Sequence, residues 1–322
     1  IYLESNVTDL KPVVIIAGPT ACGKTELALQ IAEAFDGEIV NADSMQVYKE
    51  LRILTARPSD EEEFRVPHHL FGCLPVSERC SAGMWLKMAQ DVLTDIHARD
   101  KLPIIAGGTG LYIKALTDGL AKIPEVPVEI FEGVQSHFDE VGGERFKTEL
   151  ALVDPGASER LPATDRQRLI RAAAVFAATG QTLSEWQRVQ TSEPGYAARY
   201  GTVVLMPPRD EIYAAINARF DQMMDQGAMA EAEAFAELGI PSDLPSARAV
   251  GVAELLRVIR GEMTLEAAVT KAKTSSRNLA KRQITWFKRQ IRADMTSDEK
   301  YMERDNDKIF AFIRQFVLTE GN

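Results

Sequence analysis

A chain of 322 residues with 45% hydrophobic and 26% charged content can bury a full core and divide into two domains. No apolar stretch approaches the ~20 residues that span a bilayer, and three cysteines (Cys22, Cys73, Cys80) suit a reducing cytoplasm rather than a disulfide framework. The net charge of −10 argues at first against a nucleic-acid partner, but the distribution of charge matters more than its sum.

The first residues, IYLESNVTDLKP, lack a basic segment followed by an apolar core, so no secretory signal is expected. PVVII (12–16) is a β-branched run that reads as a buried strand. It leads into GPTACGKT (18–25), which fits G-x-x-x-x-G-K-[ST], the loop whose backbone N–H groups cradle polyphosphates. Leu27, Ile31, Ala34 and Phe35 then recur at helical spacing. The loop residues Gly18, Pro19, Thr20, Ala21, Cys22, Gly23, Lys24 and Thr25 are therefore expected to cradle a polyphosphate. Gly18 and Gly23 permit the tight turn, Lys24 and the helix N-terminus supply positive charge, and the Thr25 hydroxyl is placed to ligate Mg²⁺. Cys22 fits the loop as a small side chain, and its position beside Lys24 leaves room for some thiol reactivity.

EIVNADS (38–44) reads as a second strand ending in a polar turn at Asp43. That residue has three readings: the Mg²⁺-associated acid of a P-loop nucleotidase, a general base facing a nucleophile, or a turn-forming Asp before Ser44. PHHL (67–70) invites a metal site, but four histidines and no zinc-like cysteine spacing argue for a loop role. AGMWLKMAQDVLTDIHARD (82–100) is an amphipathic helix, and LPIIAGGTG (102–110) a third buried strand running into glycines and Thr109. It carries no acid to orient a hydrolytic water, which argues against a plain ATPase. Repeated β-α-β units place the turns 18–25, 43–46 and 107–109 together at the carboxyl edge of a parallel sheet.

GLAKIPEVP (119–127) reads as a boundary, 128–198 as helical, and GTVVLM (201–206) as one more strand. Helices are expected over 210–238, 246–260 and 264–291, with a charged, peripheral tail after Met295. The expected fold is α/β: a P-loop NTPase-like parallel-sheet core (1–118) with a helical insertion domain (119–200), then core completion and C-terminal basic helices (201–322). From Ala267 to Ala293 there is no acid but eight Lys or Arg. Arg277, Lys281, Lys288 and Arg292 fall within about 60° of one another on a helix, beside an apolar stripe of Ala280, Ile284, Phe287 and Ile291. A solvated face is one reading and binding of a phosphate backbone the other; the lack of acids favours the second. Arg166, Arg168 and Arg171 offer a second contact on the insertion.

GPTACGKT, ADSMQVYK, TARP, PHHL, GGTGLYIKAL, RLIRAAAVFAATG and LAKRQITWFKR occur in the order found in tRNA dimethylallyltransferases, and the chain resembles that family from about residue 13 to 290. The resemblance implies transfer of a dimethylallyl group from dimethylallyl diphosphate to the exocyclic amine of the adenosine 3′ of the anticodon. It makes the loop the holder of a departing diphosphate, with Lys24 and Thr25-bound Mg²⁺ stabilising the charge that develops. It also implies that Asp43 accepts the amine proton, Thr109 bonds the bridging oxygen and Arg219 adds charge near the phosphates. Segments matching tRNA contacts are Asp43, Ser44, Met45 and Gln46; Gln167, Arg168, Leu169, Ile170 and Arg171; and RAVGVA from Arg248. On the basic helix Arg277, Lys281, Arg282 and Lys288 join them. The expected partners are thus the tRNA anticodon arm and dimethylallyl diphosphate, met by a cytoplasmic monomer.

The chain departs from the family pattern at Leu54, Gly72, Phe131, Val252 and Ala253, where Gly, an acid, in some relatives Arg, Tyr, and a basic or polar residue are usual. These bear on the grip on tRNA. Three alternatives share parts of the pattern: a small-molecule kinase, an adenylate dimethylallyltransferase and a non-catalytic RNA-binding protein. The kinase gives no reason for the basic helix, the adenylate enzymes lack the insertion, and the RNA binder does not need Lys24, Asp43 and Thr109 together.

Overall fold

A computed structural model describes residues 10–188, 193–298 and 307–319. In chain order the elements are β1 (Pro12–Ala17), α1 (Lys24–Ala34), β2 (Gly37–Asn41), α2 (Asp60–Arg65), β3 (His68–His69), α3 (Ala82–Ala98), β4 (Leu102–Gly107) and α4 (Gly110–Asp118). Then come α5 (Val128–Val141), α6 (Gly143–Ala151), α7 (Pro155–Arg160), α8 (Arg166–Thr179) and α9 (Leu183–Arg188). The chain continues with β5 (Arg199–Leu205), α10 (Arg209–Asp225), α11 (Ala228–Glu237), α12 (Val252–Ile259), α13 (Leu265–Gln290), β6 (Met295–Ser297) and α14 (Asp307–Leu318). It forms two compact units, 1–117 with 194–322, and 118–193.

The strands make one parallel sheet in the order β3-β2-β4-β1-β5-β6. β1 lies inside it, with Val14 opposite Ile104 on one side and Gly201 on the other. Its side chains alternate between two cores. Val13, Ile15 and Ala17 join the larger, while Val14 and Ile16 pack with Leu27, Ile31 and Leu205. A strand buried on both faces needs such an unbroken apolar run. The chain leaves β1 for β2, and β4 is inserted between them. That crossover opens a crevice at the carboxyl ends of β1, β2 and β4.

Several expectations need correction. The helix read over 210–238 breaks at Gly227, whose φ of 102° is one that L side chains rarely adopt. The helix read over 246–260 opens as a 3₁₀ turn at Ser246–Arg248, and α12 begins only after Gly251 (φ 94°). There a Cβ would press on Leu54 and Phe220. PHHL is no loop: His68 and His69 form the edge strand β3, paired with Ile39 and Val40. The strand read from 201 starts at Arg199.

The tail after Met295 is not peripheral. β6 pairs with Val203–Leu205, and α14 packs Ile309 and Ile313 into the core of Val14, Ile16, Val203 and Leu205. The charged residues between the two elements hide an apolar spacing in IFAFIRQFVL. Ile313 is fully buried, so Ile313→Ala should lower stability by roughly 2–5 kcal/mol. Denaturant unfolding reads this directly; a loss of about 0.5 kcal/mol or less would mark α14 as an appendage.

Candidate active site

The phosphate loop owes its shape to three residues with positive φ: Gly18 (152°), Ala21 (64°) and Gly23 (96°). At Gly18 a Cβ would come within 2.5 Å of the Leu205 carbonyl, so the loop can lie on β5 only as glycine. Cys22 is wholly buried, and burial pushes its thiol up despite Lys24 nearby. That fits packing and removes the thiol reactivity expected from its neighbour. Lys24 Nζ donates to the Pro19 carbonyl at 2.7 Å, folded over its own loop. Arg219 Nη2, from α10, donates to Thr20 Oγ1 at 2.5 Å. Burial lowers the Arg219 pKa while the Asp43 charge raises it; a guanidinium starting this high stays charged.

β2 and β4 bring the other two turns to the same edge. Asp43 N donates to Asn41 Oδ1 at 2.7 Å, and Asp43 Oδ1 accepts the Met45 amide at 2.9 Å. This turn leaves Asp43 Oδ2 without a hydrogen-bond partner among the described residues. Thr109 N donates to the Ala42 carbonyl, and Thr109 Oγ1 accepts the Ser44 amide at 2.9 Å. Gly107 passes so close to Ala42 that a Cβ would collide with its backbone. A cavity of about 1070 Å³ results, lined among others by Thr20, Lys24, Thr25, Asp43, Gly107 and Arg219. Thr109 is not on its wall. Its hydroxyl is spent on Ser44, to which it donates a long bond of 3.3 Å that a better acceptor could take over.

Two residues outside the expected site support this cavity from behind its wall. Gln283 of α13 accepts the Thr20 amide and donates to the Gly108 carbonyl. In the sequence it stands within LAKRQITWFKR, as an amide on the apolar stripe of the basic helix. Glu231 of α11 accepts three amides, from Arg52, Ile53 and Leu54, at 2.7 to 2.8 Å, anchoring a wall of the cavity. Gln46 fastens the same wall by donating to the Thr55 and Ala56 carbonyls.

The departures from the family pattern fill space. Leu54 and Val252 are core residues. Gly72 is vacant because the Arg57 guanidinium lies where its Cβ would be. Phe131 packs inside the unit 118–193; Ala253 is partly exposed, and nothing in the structure explains it.

The basic side chains divide. Lys281, Arg282 and Lys288 are exposed on α13. Arg277 instead donates to Asn217 on α10 and to Thr274. Arg292 does not share the helix face, because α13 ends at Gln290 and Ile291 is extended (φ −115°, ψ 125°). Arg248 is exposed, its Nε on the Ser242 carbonyl, and Ser44 and Met45 are partly buried. Within the unit 118–193, Gln167 and Arg168 are exposed and Arg171 half-buried, whereas Arg166 pairs with Asp139. Leu169 and Ile170 turn inward to that unit's own core, so they are not surface contacts. No cluster of three or more His, Cys, Asp or Glu that could hold a metal occurs among the described residues. His69 is bonded to Glu38 at 2.7 Å and His68 to the Val66 carbonyl. Among the described residues no helix is long and apolar enough to cross a membrane.

The profile of the family described as "IPP transferase" matches residues 46–290, and that of "Isopentenyl transferase" matches 11–68. The chain belongs to the tRNA dimethylallyltransferase family. The tRNA dimethylallyltransferase of Phenylobacterium zucineum is 49% identical over 86% of this chain and 89% of its own. That of Parvibaculum lavamentivorans is 44% identical over 96% and 98%. Among solved structures, the tRNA isopentenylpyrophosphate transferase of Bacillus halodurans superimposes with a TM-score of 0.70 at 31% identity, covering 96% of this chain and 97% of that one. A eukaryotic dimethylallyltransferase solved acting on tRNA shares the fold, with a TM-score of 0.82 at 24% identity over 95% and 79%. The fold is thus the P-loop NTPase-like one of prenyltransferases acting on tRNA, and the chain is a member of an enzyme family.

Proposed function

We propose that this chain transfers a dimethylallyl group from dimethylallyl diphosphate to the exocyclic amine of the adenosine 3′ of the anticodon in tRNA. The observation that carries the reading is one cavity with two sides. Lys24, Thr25 and Arg219 supply positive charge and a hydroxyl for a diphosphate, and Asp43 faces the same space with a free carboxylate oxygen. The turn after β4 offers glycine where a nucleotidase would keep an acid.

An adenine amine is a weak nucleophile, because its lone pair is delocalised into the ring. The allylic carbon compensates by tolerating positive charge. The amine nitrogen bonds to that carbon as the carbon–oxygen bond breaks, and the bonding pair leaves on intact diphosphate. Loop amides, Lys24 and Arg219 stabilise the charge growing there. The amine proton passes to Asp43. Thr109 holds the Asp43 turn through Ser44, and the family resemblance would have its hydroxyl turn from that long bond to the departing oxygen when substrate is bound. The target base must leave its stack to enter the cavity.

The residues present fit Mg²⁺. Thr25 stands exposed on the first turn of α1 at the cavity, and the described residues hold no dense ligand cluster. This suits an ion that keeps waters and phosphate oxygens as most of its ligands. When bound it would neutralise the leaving diphosphate. Lys281, Arg282, Lys288, Arg248 and, in the unit 118–193, Arg168 and Arg171 are the cations we assign to the tRNA backbone, for a monomer acting in the cytoplasm.

Labelled dimethylallyl diphosphate offered with tRNA should yield prenylated tRNA and inorganic diphosphate in equal amounts. Prenylation of AMP instead would make the protein an adenylate dimethylallyltransferase. Orthophosphate release from ATP, dependent on an acceptor, would make it a kinase.

A further inference from the structure

We propose that Gln283 is a positioning residue, a strut that sets the spacing between the leaving-group side of the cavity and its acceptor side. Gln283 is 9% exposed and sits on the inward face of α13. Both ends of its amide are used. Oε1 accepts the N–H of Thr20 at 2.8 Å, and Nε2 donates to the carbonyl of Gly108 at 2.9 Å. Thr20 N can only donate and Gly108 O can only accept, so the orientation of the amide is dictated by its partners.

The two loops it joins are those that must stay in register for the reaction. Thr20 belongs to the phosphate loop, and its hydroxyl takes the bond from Arg219. Gly108 precedes Thr109, whose hydroxyl and amide hold the Asp43 turn through Ser44 and Ala42. A continuous chain of contacts therefore runs from Arg219 through Thr20, Gln283 and Gly108 to the turn of Asp43. Gln283 lies in the middle of it and is not on the cavity wall. The surroundings are shaped around it. A Cβ on Gly108 would collide with Gln283 Nε2, and one turn further along α13 the Trp286 ring fills the space over Gly110. No other side chain bridges Thr20 to the β4 turn among the described residues.

Buried, doubly bonded amides contribute through what their loss leaves unsatisfied. Without Gln283, the Thr20 amide and the Gly108 carbonyl are both orphaned and the two loops are free to drift. A displacement of about 1 Å between reacting groups can cost on the order of 10² in rate. This role rests on the dimethylallyl-transfer reading for its effect on turnover, but its effect on the phosphate loop does not.

The test is a double-mutant cycle on Gln283→Ala and Gly108→Ala, read by binding of inorganic diphosphate and by turnover with tRNA. Each single variant should weaken diphosphate binding about tenfold, since each breaks the same bridge. Each should lower kcat further still, while the thermal midpoint falls by only a few degrees. On the Gln283→Ala background, adding Gly108→Ala should change neither quantity by more than about twofold, because the methyl then occupies vacated space. Gln283→Met keeps the length and packing of the side chain and should show the same losses as Gln283→Ala. Additive losses, or wild-type diphosphate affinity in Gln283→Met, would overturn the strut. If the wild type transfers no dimethylallyl group yet the diphosphate cycle behaves as stated, the transfer reading falls and the strut stands.

Discussion

Asp43→Asn should lower the rate of dimethylallyl transfer by a factor of about 10² to 10⁴, the range for loss of a general base. The amide cannot take the amine proton, but its oxygen can still accept the Met45 amide that Asp43 Oδ1 accepts now. The turn, and with it the bond from Ser44 to Thr109, should therefore survive. Affinity for dimethylallyl diphosphate should change little, because the charges that hold it lie on the loop and on Arg219. Single-turnover kinetics with saturating tRNA separates the two quantities. A variant that turns over normally but binds diphosphate poorly would place this carboxylate with the metal instead.

The second large effect is expected on tRNA binding. Replacing Lys281, Arg282 and Lys288 together by Ala should weaken tRNA binding by about 10² to 10³ near 0.1 M salt. It should also flatten the log–log salt dependence by roughly 2 to 3, if each side chain neutralises one phosphate. Cognate and non-cognate tRNA should suffer alike, since phosphate contacts carry no base information. Arg277 and Arg292 do not belong in this set. The first is held by Asn217 and Thr274, and the second follows the end of the helix. Lys288 also lies in the last turn of α13, where a cation complements the helix dipole, so its loss alone tests least. An unchanged salt slope in the triple variant would make this face a solvated one and move the tRNA surface elsewhere.

What could be read in the sequence was whatever is written locally. The strand–loop–helix at 12–35, Asp43 at the end of β2 and the glycines after β4 are short patterns with one structural solution, and their convergence follows from parallel topology. Long-range pairings are not written that way. Gln283 and Glu231 act on backbone groups far off in sequence, and a backbone amide has the same appearance whatever residue carries it. Periodicity also overreached where it was carried through glycine: Gly227 and Gly251 each divide what reads as one helix. On α8, the motif resemblance named Leu169 and Ile170 as RNA contacts, although the same segment's apolar spacing points them inward. In the tail, the charged run before IFAFIRQFVL outweighs the apolar spacing that follows it and hides α14 from composition.

The place of that tail has a consequence for synthesis. β1 is made long before its neighbour β5, which begins with Arg199 opposite Pro12, and the outer strand β6 and its covering helix α14 follow later still. The unit 118–193 has a core of its own and emerges complete from the ribosome before any residue of β5. It can fold while translation continues, whereas the β5 side of β1 stays unpaired until Arg199–Leu205 has been made. The phosphate loop, although it precedes β2, cannot gain its contacts with Leu205, Arg219 and Gln283 until those residues have been made.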